Sequence, residues 1–337
     1  MSVIIDGLRY LAYILIFPGF LFCFLSGLLL CGIDRKLVAR MQKRVGPPIL
    51  QPFYDFFKLL GKETIVPVTA NKTVFLIAPL VGLAAQVVLQ LFIPVFSFSA
   101  FHGVADVIVI LYLLLIPALS VILGAASSGS PYAGVGLSRE MVTVLAVELP
   151  LVLVLLAVAR AVGNAIGSGL CFSLTEIVNY QLDHGSLITK FSMIPAAVAM
   201  LLIIPGETGS HPFDAAEAET EICEGMLAEY SGKPLAAYKL SHAVKLLTMT
   251  TLFVALFLGG IGGGIERVLM TSAVGGAFCF LLEIVIVFVL CVVLVAVCCS
   301  LVHAVTARLR IEQLFKYYWT VVTGLAVISL VMAWYGL

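Results

Sequence analysis

The sequence predicts an all-α polytopic membrane protein with eight transmembrane helices. Hydrophobic residues make up 62% of the 337 residues, whereas charged residues make up only 11%. The mean hydropathy is +1.15. These values lie far outside the composition of a soluble globular domain. A bilayer core requires about 20 apolar residues per helix and internal pairing of all backbone polar groups, so long apolar runs are expected to form membrane-spanning helices.

Eight apolar runs qualify as spans, and together they make residues 1–337 a single membrane domain. The fifth run is short and the seventh is long, so tilting or kinking is expected there. Basic residues follow the first run and no small-residue cleavage site is present, so this run is expected to be a span and not a signal peptide. The runs cover residues 8–31, 74–96, 105–125, 142–162, 192–205, 237–258, 273–302 and 317–336.

The basic residues predict which side of the membrane each loop faces. Cytoplasmic loops keep an excess of Lys and Arg, and the segment after the first run is the most basic part of the chain. With the odd-numbered loops inside, 14 of the 19 basic residues are cytoplasmic and both termini lie outside. The opposite side receives only Arg9, Arg160, Lys190 and Arg267, while Lys245 falls within a span.

The first cytoplasmic loop, residues 34–67, is too long to be a simple connection, and glycine and proline residues divide it into two parts. In the second part Phe53, Phe56, Phe57 and Leu60 recur at helical spacing. This pattern predicts an amphipathic helix in the membrane interface. Two roles fit the loop: a docking platform for a peripheral soluble module, or a basic anchor on anionic lipid.

The second notable loop, residues 206–236, is acidic and is expected to face the cytoplasm. Asp214, Glu217, Glu221 and Glu224 follow one another at spacings of three, four and three, which would place them along one helical face. Mutual repulsion and partial desolvation would then raise the proton affinity of some of these carboxylates. The row is therefore expected to exchange protons near neutral pH, with a solvated acidic loop as the alternative.

Ionisable residues also occur within the expected spans. They are Glu148, His242, Lys245 and Glu283. At such depths charge is costly, and it usually faces a bundle interior or a water-filled cavity. Glu140 precedes Glu148 by eight residues, so the two carboxylates share nearly one helical face. These groups are predicted to continue a proton path from the acidic loop, although a structural ion pair between Glu283 and Lys245 would also explain two of them.

The cysteine pattern argues against a metal centre in this chain. None of the eight cysteines shows a C-x-x-C spacing, and six lie inside apolar runs, where cysteine usually behaves as a small buried hydrophobic residue. The formal net charge is zero, so the charge balance predicts no nucleic-acid partner. Redox centres, if the protein takes part in redox chemistry, are expected in partner subunits.

Four ordered motifs resemble a known family along almost the whole chain. They are DRKLVARMQKRVGPPILQPFYDFFKLLGKE, GSPYAGVGLSRE, HPFDAAEAETEICEGMLAEYSG and ARLRIEQLF. The chain is similar to the membrane subunit of energy-converting NiFe hydrogenases of the Ech, formate-hydrogenlyase and membrane-bound hydrogenase types. Its relative in respiratory complex I is the membrane subunit that forms the quinone chamber.

Two features of these motifs favour the hydrogenase branch. The first-loop motif GPPILQP is compact, without the extra glycine-containing residues of complex I. Where complex I has Glu-Thr-Asn-Arg and Ser-Tyr-Glu, this chain has Glu207, Thr208, Gly209 and Ser210, and Ala146, Val147 and Glu148. Both departures put a quinone site in doubt.

The resemblance implies a subunit without redox centres that seats a soluble hydrogenase on its cytoplasmic face. Its expected partners are the hydrogenase large and small subunits, an iron-sulfur ferredoxin-like subunit and an antiporter-like membrane subunit, with iron-sulfur clusters and the NiFe centre held by partners. The family's acidic path falls on Glu140, Glu148, Asp214, Glu217, Glu221 and Glu224, with Glu207 and Glu229 near its mouth, and Glu219 off the main face. Interface contacts are expected from Arg35, Arg40, Arg44, Lys58, Arg308 and Arg310.

Three functions remain open from the sequence. The chain is expected to couple ferredoxin- or formate-driven hydrogen chemistry to proton or sodium translocation in the cell membrane of a bacterium or archaeon. A complex I type quinone-chamber subunit is the second possibility, and a passive membrane anchor is the third. The ion, the electron donor and the direction of hydrogen chemistry do not follow from the residues.

Overall fold

The computed structural model describes residues 11–95, 106–167, 169–261 and 276–336, without the side chains of residues 219, 220 and 276–279. Helices account for the regular structure of these residues, and a single bridge between Asp106 and Ser173 is their only β pairing. The predicted all-α class is confirmed. The helices are α1 (Phe20–Met41), α2 (Gln51–Leu60), α3 (Lys72–Phe92), α4 (Val107–Ser128), α5 (Pro131–Ile166), α6 (Leu174–His184), α7 (Ile194–Glu207), α8 (Glu219–Ile222), α9 (Gly232–Phe253), α10 (Gly276–Val295), α11 (Leu301–Val305), α12 (Ile311–Tyr317) and α13 (Thr323–Tyr335).

The eight predicted runs lie mainly in helices, but residues 16–19 of the first run, 93–95 of the second, 106 of the third and 336 of the eighth are not helical. Seven of these helical segments are long and apolar enough to cross a membrane, and the fifth run forms a shorter helical segment, Phe191–Glu207. Residues 8–10, 96, 105 and 273–275, together with Arg9 and Arg267, lie outside the described residues. Seven spans therefore agree with the sequence, while the eighth span and the outward orientation of both termini stay predictions.

The helix α5 begins eleven residues earlier than the predicted fourth span. It runs for 36 residues from Pro131 to Ile166, or about 54 Å at 1.5 Å per residue. Pro131 suits a helix start because the amide it lacks would have no partner there, and Gly167 ends the helix with a positive φ of 82°. The motif GSPYAGVGLSRE is therefore largely helical, and Glu140 lies on the same continuous helix as Glu148.

The predicted amphipathic helix in the first loop is present as α2, Gln51–Leu60. Its Phe53 and Phe56 pack edge-on against Phe24 of α1, with ring centroids 5.8 and 5.1 Å apart. Tyr54 and Phe57 remain exposed. One aromatic face thus fixes the loop to the bundle, while the other stays open to lipid or a partner.

The helix α9 is the central element of the bundle. With its π-helical continuation Val254–Leu258 it forms a span, and 89% of the residues in the most apolar part of that span are buried. Gly27 of α1 lets the two backbones approach closely, because a Cβ at that position would lie 3.0 Å from the carbonyl oxygen of Ala243. Buried threonines of α9 donate to glutamines of α3, from Thr248 to Gln86 and from Thr251 to Gln90, each at 3.1 Å.

The acidic loop is folded, but its carboxylates do not share one helical face as the spacing predicted. Only Glu219–Ile222 is α-helical, and Cys223 and Glu224 then adopt positive φ values of 50° and 65°. This reversal turns the chain back toward α5, where Gly136 leaves room for the backbone of Met226. Tertiary packing, and not helical periodicity, therefore sets the positions of the acidic side chains.

Candidate functional site

A buried ion pair lies at the centre of the candidate site. Glu207 is the last residue of α7, and its Oε1 is 2.8 Å from Nζ of Lys245 on α9. The two side chains are only 5% and 14% exposed. A charged pair at this depth is tolerated because each ion offsets much of the other's desolvation. Lys245 is therefore paired with Glu207.

Two further carboxylates from α5 accompany this pair. Glu140 and Glu148 are half-buried, and each interacts electrostatically with both Glu207 and Lys245. Eight residues separate them on one helix, which corresponds to about 12 Å along its axis. The hydroxyl group of Thr143 lies 3.2 Å from Oε2 of Glu140 and can donate to it. Three carboxylates thus interact electrostatically with one ammonium group.

Glu217 connects the acidic loop to this group. Burial raises the pKa of its carboxyl group to about 7, and the nearby negative charges of Glu140, Asp214 and Glu224 act in the same direction, while Lys239 acts in the opposite one. Glu217 is therefore suited to exchange protons near neutral pH. Its interaction with Glu140 joins the loop to the intramembrane carboxylates.

Asp214 occupies a different environment, at the contact between the acidic loop and the C-terminal part of the chain. Arg308 donates to Oδ2 of Asp214 from its Nε at 3.1 Å and from a terminal nitrogen at 2.8 Å. His211 lies 3.6 Å from the other carboxylate oxygen, and its ring is 4.6 Å from that of His303. Arg308 thus secures the loop within the chain, and its contact with a partner stays a prediction.

The remaining predicted path residues are less central. Glu221 forms a 2.6 Å ion pair with Arg139, and its side chain is 55% exposed. Glu224 is exposed and Glu229 is half-buried. Glu283 lies on α10 and is 4% exposed, so it is buried against protein as expected. The side chain of Glu219 lies outside the described residues. The structure therefore brings together Glu217, Glu140, Glu207, Lys245 and Glu148, with Asp214 beside the loop end of this series.

Sequence reasoning assigned no role to Asp34, His211 or His303, and it placed His242 among the ionisable residues of the sixth expected span. Asp34, read as the first residue of a loop, lies within α1 and accepts a 2.6 Å hydrogen bond from Ser300, which ends the π-helical turn Ala296–Ser300. His211 and His303 pack together although 92 residues separate them. His242 is exposed although its helix is otherwise mostly buried. The apolar run around His242 marked it as unusual, whereas nothing local signalled the histidine contact.

The predicted interface residues divide into exposed and internally bound groups. Arg35 lies 3.3 Å from Asp55, which ties α1 to α2. Arg44 donates to Gln42 within the same turn, at 2.6 Å. Arg40, Lys58 and Arg310 are exposed, and their contacts with a partner stay predictions.

Cysteine placement does not provide a ligand set for a redox centre within the described residues. Cys23, Cys171, Cys291, Cys298 and Cys299 are buried, Cys31 is half-buried and Cys223 is exposed, while the side chain of Cys279 lies outside those residues. No group of three or more His, Cys, Asp or Glu side chains in that part of the chain could hold a metal ion.

The described residues form an all-helical membrane bundle with a folded acidic loop and a group of buried and half-buried carboxylates. Residues 13–334 match the family model described as NADH dehydrogenase, and the chain belongs to this family. Hydrogenase-4 component C of Escherichia coli (strain K12) is 35% identical over 266 residues, which is 78% of this chain and 80% of that protein.

Other relatives belong to different respiratory complexes. A subunit of the NADH-quinone oxidoreductase of Thermomicrobium roseum is 37% identical over 253 residues, or 68% of this chain and 72% of that protein. A chain in the structure of the membrane-bound sulfane sulfur reductase, an archaeal respiratory membrane complex, superposes with a TM-score of 0.81 at 31% identity. That similarity covers 97% of this chain and 99% of the other. These relatives identify a membrane subunit of complex I-like, energy-converting oxidoreductase complexes.

Proposed function

We propose that this chain is the membrane-anchor and coupling subunit of an energy-converting NiFe hydrogenase complex. The observation that carries the proposal is the electrostatically connected series from Glu217 through Glu140 to the Glu207–Lys245 pair and Glu148. The motif composition of the first and fifth loops supports the hydrogenase branch, as does the similarity to hydrogenase-4 component C.

The series is suited to transmit a charge change into proton movement. An electron arriving in a neighbouring subunit would shift the electrostatic potential at the acidic loop, and this shift decays less in a poorly solvated interface than in water. Glu217 responds because its pKa of about 7 makes small changes in potential alter its proton occupancy. Its proton affinity in turn affects Glu140, and Lys245 can compensate whichever neighbouring carboxylate is charged.

The electron-transfer groups are assigned to partner subunits in this proposal. Iron-sulfur clusters and the NiFe centre would supply the redox chemistry there, whereas this chain holds and moves protons. The exposed basic residues of the first loop, including Arg40 and Arg44, would contact the soluble hydrogenase module. An antiporter-like subunit would extend the ion path laterally in the membrane.

Neutralising Glu140 tests the proposal. The variant Glu140→Gln should assemble normally and evolve hydrogen with an artificial dye donor, because the metal centres are intact. It should lose most of the ion gradient formed by donor-driven turnover in sealed vesicles. Glu312→Gln provides the matched control, since it makes the same chemical change in an exposed carboxylate outside the predicted path. Equal gradients in the parent and Glu140→Gln would contradict the proposal and favour a passive anchor.

A quinone-chamber subunit is the second candidate function, and the 37% identity with a subunit of an NADH-quinone oxidoreductase favours it. Quinone reduction by the intact complex, measured with and without hydrogen, separates the two functions. Hydrogen-dependent turnover without quinone reduction supports the hydrogenase assignment. Donor-driven quinone reduction that does not respond to hydrogen supports the alternative.

A further inference from the structure

A cleft lies between the start of α3 and the start of α9, away from the row of carboxylates. Its volume is about 830 Å³. Apolar residues of the connecting segment, Val66, Pro67, Val68 and Ala70, form one part of its wall, and Leu76 and Leu80 of α3 form another. Within the described part of the chain, the charged residues that line it are two lysines, Lys72 and Lys233.

The cleft is polar at one end and apolar at the other. Lys72, Leu76 and Leu80 are spaced four residues apart, so they lie along one face of α3. Leu80 is about 12 Å from Lys72 along the helix axis. Lys233 lies in the first turn of α9, beside Pro234. Both lysines therefore lie at the expected cytoplasmic ends of two spans. The two leucines lie deeper, toward the membrane interior.

The two ammonium groups are available to a ligand. Both lysines are exposed. Among the described residues, neither lies within ion-pair distance of a carboxylate. Two unpaired cations above an apolar cleft complement a molecule with an anionic head and a hydrocarbon tail. They do not complement a free soluble anion, which would leave the apolar wall in contact with water.

We propose that this cleft is a binding site for an anionic phospholipid of the cytoplasmic leaflet. The phosphate group lies between Lys72 and Lys233, and one acyl chain follows Leu76 and Leu80 along α3. The adjacent helix starts add favourable partial positive charge, but the selectivity comes from the two lysines.

Native mass spectrometry of the full chain purified in detergent tests this site. The probes are phosphatidylglycerol, phosphatidylcholine with the same acyl chains, and glycerol phosphate. Because each lysine near an anionic surface contributes about 1 kcal/mol, we expect the preference for phosphatidylglycerol to fall about 25-fold in Lys72→Gln/Lys233→Gln. The Lys72→Arg/Lys233→Arg variant should keep the preference, and so should Lys36→Gln/Lys43→Gln, which removes the same charge elsewhere in the cytoplasmic region.

The apolar part of the site has its own test. Leu76→Trp should weaken binding of both phospholipids, because the larger side chain occupies the space assigned to the acyl chain. Three results would overturn the proposal: unchanged selectivity in Lys72→Gln/Lys233→Gln, displacement of phosphatidylglycerol by glycerol phosphate, and cross-linking of a photoreactive group at position 80 to another protein of the intact complex instead of to lipid.

Discussion

Replacing Lys245 by methionine should destabilise the protein more than replacing Glu207 by glutamine. Lys245→Met leaves Glu140, Glu148 and Glu207 with no cation among them, whereas Glu207→Gln leaves Lys245 with two carboxylate neighbours. The loss of stability on removing one charge depends on which charged side chains are left in the site. The order of the two losses therefore tests the arrangement of the whole cluster and not only one contact.

The structure sets the scale of this effect. At the observed separation of 2.8 Å, an effective dielectric constant of about 20 gives roughly 6 kcal/mol of Coulomb attraction. Desolvation offsets much of this value, and breaking a buried pair usually costs about 3–5 kcal/mol. We expect the free energy of unfolding to fall by an amount in that range for Lys245→Met. For Glu207→Gln we expect it to fall by about 1–3 kcal/mol, because Lys245 keeps two carboxylate neighbours. The double variant should lose less than the sum of the two, because each single change leaves the other charge behind.

Thermal unfolding of the detergent-solubilised chain provides the assay. Lys316→Met is the control, because Lys316 is an exposed lysine flanking a span and its loss should change stability by less than about 0.5 kcal/mol. If Glu207→Gln is the more damaging change, or if Lys245→Met unfolds like the parent, the reasoning is refuted.

Three other predictions concern separate parts of the chain. Glu217 has a folded-state pKa of about 7, against an ordinary value of 4.5, so its contribution to stability decreases as the pH rises from about 4.5 to 7. Glu217→Gln should flatten that decrease and should be about 2–3 kcal/mol more stable than the parent at pH 8. Denaturation at a series of pH values measures this, and an unchanged pH profile of stability would contradict it. The double reversal Arg40→Glu/Arg44→Glu should release the soluble hydrogenase module from membranes while this chain stays inserted, and full retention of the module in the membrane fraction argues against docking there. Gly206→Ala should lower the free energy of unfolding by about 1–3 kcal/mol, because its Cβ would collide with the Tyr318 ring and hydroxyl group. In the control Gly134→Ala the new Cβ meets no other atom within 4 Å, so this change should be neutral or stabilising. Equal melting temperatures for the two alanine variants would rule out the proposed clash.

The membrane spans could be predicted from the sequence because the bilayer imposes a simple rule on apolar length. The amphipathic helix Gln51–Leu60 was predictable for a related reason, since its aromatic spacing has one dominant helical period. The start of α5 was misplaced because Pro131 and Ser130 can also belong to a turn. Their role as a helix start depends on packing further along the chain.

Pairing within the site could not be predicted from spacing. Lys245 had two potential partners inside the membrane region, and the choice of Glu207 depends on where α7 ends relative to α9. The row from Asp214 to Glu224 was assigned to one helical face, but the positive φ at Cys223 and Glu224 reverses the chain. A local pattern contains no information about such a reversal when neither residue is glycine. The spacing of the acidic residues did identify the loop in which titratable side chains are concentrated.

The short segment Phe191–Glu207 has an electrical consequence. Its 17 residues span about 25 Å, less than the roughly 30 Å of hydrocarbon in a bilayer. If α7 runs toward the cytoplasm, as the basic residues predict, polar groups of the acidic loop would fill the missing depth above Glu207. Most of the membrane voltage would then fall across the remaining thickness. Loading a proton from the cytoplasm to Glu207 should therefore be nearly independent of voltage, while its onward transfer would work against most of the roughly 2.3 kcal/mol per 100 mV that a full crossing requires.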